Sequence, residues 1–512
     1  MLTAAEKSSP PDVQTQDRDD SSVEFEVKLA GPGRKIEKAA RAAKAMGARR
    51  QRIDSTYFDT PDRQLRSAGC SFRLRRKGDR WELTLKRGNR GAIGRGEWTA
   101  ILDALVPDVD LLPANAPLAE IGLAPGVDLA PVFTTKIERL KYVAEISGAV
   151  AEVAIDSGDI LAGGRSSPVE EIELELKAGS DAGLIAQARG MAEAYGLWVS
   201  PLTKADRGYA LADGRPPVWV KATQPTLCPT MTVGDALSYI VAGAGDQIHG
   251  NLEAARDGRD PEGVHQLRVS LRRLRSAVEM FHEPIHSVGP SWRRDAGDTL
   301  KTLGGARDLD VFLTETLPAV AMGDEPIKGF DALRSAAEKA RGEAYDSVRK
   351  ALRRRRFNRL LLDVAWVGAG GATFGDARPI SDAAAMLLGA RLEAVLARGE
   401  GFEALDAAGR HRVRIAVKKL RYAVDFFECL FPDAAARAYL KALRRLQEDL
   451  GALNDAAVAT TLSKRLAEDA SKGASAANAV AAWSKERLAA ADSQIVRHWR
   501  DFAATDPFWT AR

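Results

Sequence analysis

Two short segments, far apart in the chain, place acidic residues at every second position: Val-Glu-Phe-Glu-Val-Lys-Leu at 23–29 and Glu-Ile-Glu-Leu-Glu-Leu at 171–176. In a β-strand alternate side chains share a face, so Glu24, Glu26 and Lys28 point one way and Val23, Phe25, Val27 and Leu29 the other. The same alternation sets Glu171, Glu173 and Glu175 against Ile172, Leu174 and Leu176. Carboxylates in rows repel unless cations lie between them, and hard divalent ions that bridge carboxylate to phosphate oxygens are the usual solution. Cations recur on other period-2 segments: Arg73 and Arg75, Lys86, Arg139 and Lys141, with Lys204 and Arg207 further on. Salt bridges between the two sets are the plain alternative. Buried pairs seldom repay their desolvation, however, whereas a polyanionic substrate with a metal ion accounts for both sets.

A second constellation lies in the other half of the chain. The segments 265–275 and 411–421 share the pattern H-x-x-R-x-x-x-[RK]-[RK]-x-R, and each is followed by Leu-Gly-x-x-x-Asp, at 303–308 and 450–455. Two features repeated in one order indicate two copies of a helical unit. At ~100° per residue His265, Arg268, Arg272 and Arg275 share a stripe, and His411, Arg414, Lys418 and Arg421 repeat it. Arg273 and Lys419 complete the basic set, and Leu267, Leu271 and Leu274 form an adjacent stripe that faces a core. A run of charge is ordinarily a solvated face. Here the repetition, and the lack of any acidic residue inside either segment, point to an anion. No aromatic residue accompanies the stripes, so a string of phosphates fits better than nucleic acid. The run Arg353 to Arg356 is less patterned and reads as solvated.

These residues need two kinds of scaffold. Residues 23–210 are rich in alternating segments with Gly-containing breaks such as Lys77-Gly78-Asp79, and one face of each is charged. Charges of both signs on an inner face suit the lumen of a closed barrel or tunnel, whose apolar exterior must be covered; Arg34 to Met46 and Ser180 to Tyr195 are the expected covering helices. Prolines crowd 213–228, which reads as a linker. Beyond it Ala, Leu and Arg recur with helical spacing, so 229–505 is expected to be an all-α bundle with an internal duplication.

At 512 residues the chain is long enough for two or three domains. Its 74 basic and 70 acidic residues nearly cancel, so the sorting of charge into clusters carries more meaning than the net +4. Three scattered cysteines without a CxxC pair argue for a reducing compartment and against structural zinc. No apolar run reaches the ~20 residues a membrane span needs, and residues 1–22 read as a disordered leader without a signal core, so a cytoplasmic location is expected. No GxxxxGK[ST], HExxH or GxSxG occurs, and His249, His282, His286 and His498 form no ligand pattern.

The ordered series ExExK (Glu24, Glu26, Lys28), Thr-Tyr-Phe-Asp-Thr-Pro at 56–61, Phe-Arg-Leu-Arg at 72–75, Leu-Thr-Leu-Lys at 83–86 and the late acidic strand closely resembles the CYTH family of triphosphate tunnel metalloenzymes. The duplicated basic helices look like a CHAD domain, and CYTH followed by CHAD is the order of bacterial inorganic triphosphatases. The resemblance implies an eight-stranded antiparallel tunnel at 23–212 that hydrolyses inorganic triphosphate. In it Glu24, Glu26, Asp156, Glu171 and Glu173 would hold Mg²⁺ or Mn²⁺, with Lys28, Arg73, Arg75, Lys86, Arg139 and Lys204 on the triphosphate. CHAD domains are associated with inorganic polyphosphate. Relatives also include thiamine triphosphatases and adenylate cyclases, and a non-catalytic polyphosphate scaffold is the alternative of a different class.

Overall fold

Eight antiparallel strands close on themselves in the computed structural model, which describes residues 23–88, 94–281, 289–322, 326–368, 374–469 and 471–510. The strands are β1 (Val23–Ala30), β2 (Arg49–Asp59), β3 (Cys70–Lys77), β4 (Arg80–Gly88), β5 (Gly94–Leu102), β6 (Ala130–Ile146), β7 (Ala149–Ala162) and β8 (Arg165–Gly179). Around the ring the order is β1-β5-β4-β3-β2-β6-β7-β8, and β8 pairs with β1 to complete it. A two-residue strand, β9 (Trp198–Val199), adds to β1. The closed sheet expected from the charged inner faces is therefore present.

Strand alternation sets what lies outside. Val27, Leu29, Val153, Ile155, Ile172 and Leu174 are buried on the exterior, beneath α1 (Gly33–Ala45) and α3 (Asp181–Tyr195), the two helices expected to cover them. Phe72, Leu74, Leu83 and Leu85 pack instead on Val109, Leu112 and Leu123 from the long β5–β6 connection.

Inside, one end of the lumen is sealed. Ile53, Tyr57, Phe133, Ile137, Ile160 and Val169 form an apolar layer against Ala205 and Tyr209 of α4 (Lys204–Asp213). A Cβ at Gly208 would lie 2.2 Å from the Phe133 ring, so only glycine lets α4 approach this closely. Thr203 begins α4 with a capping box closed by Asp206. Asp59, the acid of the Thr-Tyr-Phe-Asp-Thr-Pro motif, is fully buried and accepts from the backbone N–H groups of Thr60, Leu65 and Arg66, at 2.8, 3.0 and 3.1 Å. The last two lie within α2 (Gln64–Ser67), and the Tyr209 hydroxyl donates to the same carboxylate at 2.8 Å. That motif is thus a fastening for α2 and α4. Tyr209→Phe should lower stability by about 1–3 kcal/mol, the cost of leaving a buried acceptor short of a partner. Urea denaturation measures it, and an unchanged midpoint would mean that α4 is held by packing alone.

The second half is helical: α5 (Val233–Asp257), α6 (Pro261–Met280), α7 (Gly289–Val311), α8 (Leu317–Ala321), α9 (Phe330–Ala351), α10 (Arg355–Gly368), α11 (Ile380–Arg398), α12 (Ala407–Phe427), α13 (Asp433–Asp469) and α14 (Ala474–Ala503). The repeated segments occupy α6 and α12, begun by the N-caps Asp260 and Asp406. No helix among the described residues is long and apolar enough to cross a membrane. The halves share a continuous apolar core. At their junction the Asn358 side chain of α10 accepts from Val199 N–H at 2.7 Å, and the Arg353 guanidinium lies 4.4 Å from the Trp198 ring centroid. Arg355 pairs with Glu193 across the junction at 2.6 Å, whereas Arg356 approaches Asp298 of α7 within the helical half at 3.6 Å. The Pro-rich connector lies along the helical domain. Val220 exchanges two hydrogen bonds with Asn251, at 3.0 and 2.9 Å, Trp219 donates to Asp260 at 2.7 Å, and Leu227 is buried.

Candidate active site and anion groove

Register brings acidic residues of two strands together beside a third. Asp156 of β7 pairs across to Glu171 of β8, and Glu173 pairs to Lys28 of β1. Inward-pointing alternation then gathers Asp156, Glu171 and Glu173 so that one oxygen from each lies within 4.8 Å of the others. This layer sits next to the apolar seal, because Val169 and Ile160 of the seal precede Glu171 and follow Asp156 on the same inner faces. Asp156 and Glu171 are completely buried.

Three cations grip these carboxylates. The Arg139 guanidinium donates to both oxygens of Asp156 at 2.7 Å and to Glu173 at 2.6 Å. Lys28 lies 2.5 Å from Glu26 and 3.3 Å from Glu173. Lys204, the first residue of α4, reaches Glu171 at 2.5 Å, Asp156 at 2.6 Å and Glu173 at 2.9 Å. Arg207, one turn further on, approaches Glu171 at 3.7 Å. Burial would push Glu173 up, but Lys204, Lys28 and Arg139 together hold it well below the usual carboxylate range. For Glu171 burial wins, aided by the Glu173 charge, and its carboxyl is pushed up. Hard oxygen donors this close together fit a divalent ion such as Mg²⁺ or Mn²⁺.

Across the lumen the balance changes sign. Arg73 and Arg75 of β3 point inward beside Tyr57 and Ser55 of β2, with Glu82, Thr84 and Lys86 on β4. Arg75 donates to Ser55 at 3.2 Å and its distance to Glu82 is 3.8 Å, while Lys86 pairs with Glu97 at 2.9 Å. Burial, then repulsion from Arg73 and Arg139, pulls the Arg75 guanidinium down to about 10. The buried Arg73 Nε and Thr84 hydroxyl have no partner, so donors aim into the lumen without an acceptor. Nearer the far end, Lys141 pairs with Glu152 at 2.5 Å, and Glu175 is engaged by Lys177. The Glu24 side chain lies outside the described residues, as do His282, His286 and residues 1–22.

In the helical half the two repeats meet. Arg268 and Arg272 of α6 face Arg414 and Lys418 of α12, with Asp308 and Asp455 beneath them. Burial, then repulsion from Arg414 and Arg272, brings Lys418 down to about 7. Arg268 falls to about 10 for the same two reasons, with Arg272 as the strongest repulsive charge. Buried nitrogens of Arg268, Arg275 and Arg414 lack partners. Burial lowers His265 as well, whereas His411 is exposed. A depression of about 460 Å³ continues the groove, lined by Arg272, Arg275, Arg293, Arg294 and Lys301 with Asp298 as its one carboxylate. The remaining basic residues have partners of their own. Arg273 is buried, donates to Thr223 O at 3.2 Å and lies over the Phe426 ring; Lys419 pairs with Glu279 at 2.6 Å and Arg421 with Asp425 at 2.7 Å.

Sequence reasoning gave no role to Ser55, Tyr57, Thr84, Asp308 or Asp455. For the two aspartates the repeated Leu-Gly-x-x-x-Asp was the available signal. A Cβ at Gly304 would fall 2.9 Å from an Arg268 guanidinium nitrogen, so the glycine makes room for the cation that the aspartate faces.

Comparison with known proteins agrees with this division. Residues 22–209 match the CYTH domain and residues 240–464 the CHAD domain. A segment of 163 residues, 31% of this chain, is 31% identical to an inorganic triphosphatase of Haemophilus influenzae and covers 46% of it, so the chain spans about half the length of that relative. The crystal structure of a CHAD domain from the plant Ricinus communis superposes on 56% of this chain and 98% of its own, with 28% identity and a TM-score of 0.50.

Proposed function

From a chain that joins a CYTH domain to a CHAD domain, we propose that the tunnel hydrolyses inorganic triphosphate to diphosphate and phosphate with a divalent ion, and that the helical domain binds polyphosphate. The observation that carries the first part is one lumen with a buried carboxylate triad on one wall and, on another, Arg75 beside Arg73, whose buried Nε lacks an acceptor. The triphosphatase name of the Haemophilus relative supports the same reaction class.

Asp156, Glu171 and Glu173, with Glu24 and Glu26 from β1, would hold Mg²⁺ or Mn²⁺, which supplies Lewis-acid polarisation of the phosphoryl group when bound. Arg73, Arg75 and Lys86 bind and orient the phosphates that do not react. Lys28, Arg139 and Lys204 neutralise charge nearest the carboxylates. The seal behind α4 keeps bulk water from that end of the lumen, so attack is confined to water admitted with the substrate. Positioning and charge suffice for phosphoryl transfer, and no covalent nucleophile is required.

Phosphate release should be measured from tripolyphosphate, thiamine triphosphate and ATP, with Mg²⁺, with Mn²⁺ and in excess chelator. Tripolyphosphate should be preferred and chelation should abolish turnover. Full activity in chelator, or cyclic AMP formed from ATP faster than phosphate is released from tripolyphosphate, would overturn the assignment.

Crowded cations contributed by both repeats, some with buried nitrogens that lack partners, support polyphosphate as the ligand of the helical groove. An anion there restores the charge on Lys418, so the bound-state value exceeds the free value of about 7. Affinity should then be flat below pH 7 and fall as pH rises above it, by up to ~10-fold per unit for a single proton. Fluorescence titration of long-chain polyphosphate between pH 6 and 9 checks this, and a Lys418→Arg variant should flatten the profile.

A further inference from the structure

Lys204 occupies an unusual place among the cations of the lumen. Arg139 engages Asp156 and Glu173 but not Glu171, and Lys28 engages Glu26 and Glu173. Lys204 alone among the described residues bridges all three members of the triad, through Glu171 Oε1, Asp156 Oδ2 and Glu173 Oε1 at 2.5, 2.6 and 2.9 Å. The ammonium donates hydrogen bonds to Glu171 and Glu173 and forms an ion pair with Asp156, the three residues whose oxygens are close enough to hold a single ion. The backbone of this residue is fixed: the Thr203–Asp206 capping box, the Tyr209–Asp59 hydrogen bond and the Arg66–Asp213 ion pair hold α4 at both ends. The four-carbon stem that carries the ammonium has several rotatable bonds.

We propose that the Lys204 ammonium is the built-in counter-ion of the carboxylate triad, and that a divalent ion binds only by displacing it. The inference rests on the reading of Asp156, Glu171 and Glu173 as the metal site. It adds a reason for the position of α4: the helix carries a tethered cation that keeps buried carboxylates compensated while no metal is bound. An ammonium and a dication repel strongly at contact distance in a buried site, so the two exclude each other. Once displaced, the ammonium gains a partner only when triphosphate is present. Metal and triphosphate therefore tighten each other's binding, and the substrate-free protein holds its metal weakly.

Metal affinity tests this without turnover. Mn²⁺ binding to the metal-free full-length protein is followed by loss of the free-ion electron paramagnetic resonance signal, for wild type, Lys204→Gln and Lys204→Arg, in the absence of triphosphate. Lys204→Gln should bind Mn²⁺ at least ~10-fold more tightly than wild type, the effect expected from removing one repelling charge at contact distance. Its metal-free thermal midpoint should fall and be restored by Mn²⁺, and Lys204→Arg should stay close to wild type. A folded Lys204→Gln protein that binds Mn²⁺ no more tightly than wild type overturns the proposal and leaves the metal site standing. Absence of Mn²⁺ binding in both proteins overturns the proposal and the metal-site reading together. A second measurement needs no charge-removing variant: in wild type with ¹³C-labelled lysine, the Lys204 Cε resonance, assigned by its disappearance in Lys204→Arg, should shift on adding Mg²⁺ alone. An unmoved resonance at saturating Mg²⁺ also overturns the proposal.

Discussion

Triphosphate turnover should fall at least ~100-fold in Glu173→Gln, the scale of losing a group that orients a metal or stabilises transferred charge. Glu173 is the carboxylate that Lys28, Arg139 and Lys204 all touch. An amide of nearly the same shape keeps the packing and removes the charge, so the loss reports electrostatics rather than a cavity. The same substitution carries a signature in stability. A carboxyl held well below its ordinary value stabilises the fold above its unfolded pKa, near ~4.5, and loses that contribution as pH falls through the lower folded value. The variant should therefore melt below wild type at pH 7, with the gap closing in strong acid. Phosphate release in excess Mg²⁺ and thermal midpoints from pH 2 to 7 are the two measurements. Wild-type turnover in Glu173→Gln would remove the triad from the mechanism.

The second large effect is expected in the helical domain. Replacing Arg268, Arg272, Arg414 and Lys418 together by alanine should weaken long-chain polyphosphate binding at least ~1000-fold at low salt, since each charge-assisted hydrogen bond contributes about 1.5–3 kcal/mol. For the wild type, affinity should decline steeply with salt through counterion release, and the variant should lose most of that slope. Thermal unfolding supplies the control. Burial, then repulsion from Arg414 and Arg272, brings Lys418 down to about 7, so holding these charges is costly in the free protein and the variant should be at least as stable as its parent. Unchanged affinity in a stably folded variant would mean that these helices present only a solvated face.

Much of this was legible because it rests on periodicity. Alternation at 23–29 and 171–176 separates an inner from an outer face without knowledge of any partner strand, and Ile36, Ala39 and Ala43 place α1 on the barrel by helical spacing alone. Duplication exposed the paired helices, and similarity to a known family ordered the motifs. Less visible were features made by residues distant in sequence. The lumen seal joins Tyr57, Phe133 and Tyr209, and the Asp59–Tyr209 bond spans two elements of opposite type, so no local pattern announces them. Lys204 reads as one more inward cation until the helix that carries it is seen to aim it at all three acids. Likewise Arg273 belongs to the same eleven-residue segment as Arg272, yet it turns to the Phe426 ring and a connector carbonyl. Its angular position alone could not separate packing from binding.

The Pro-rich connector bears on how the two domains could cooperate. Two modules on a loose tether find each other's ligands with an effective concentration set by random-flight statistics, which lengthening the tether tunes gradually. A connector laid down through Val220, Trp219 and Leu227 is a splint instead, and with Asn358 seated on β9 it leaves one arrangement rather than a distribution. Inserting flexible residues into it would not dilute the communication between the domains by degrees. The insertion would either bulge harmlessly into solvent or peel the splint away, and a linker-length series should accordingly show a threshold where a tether would show a slope.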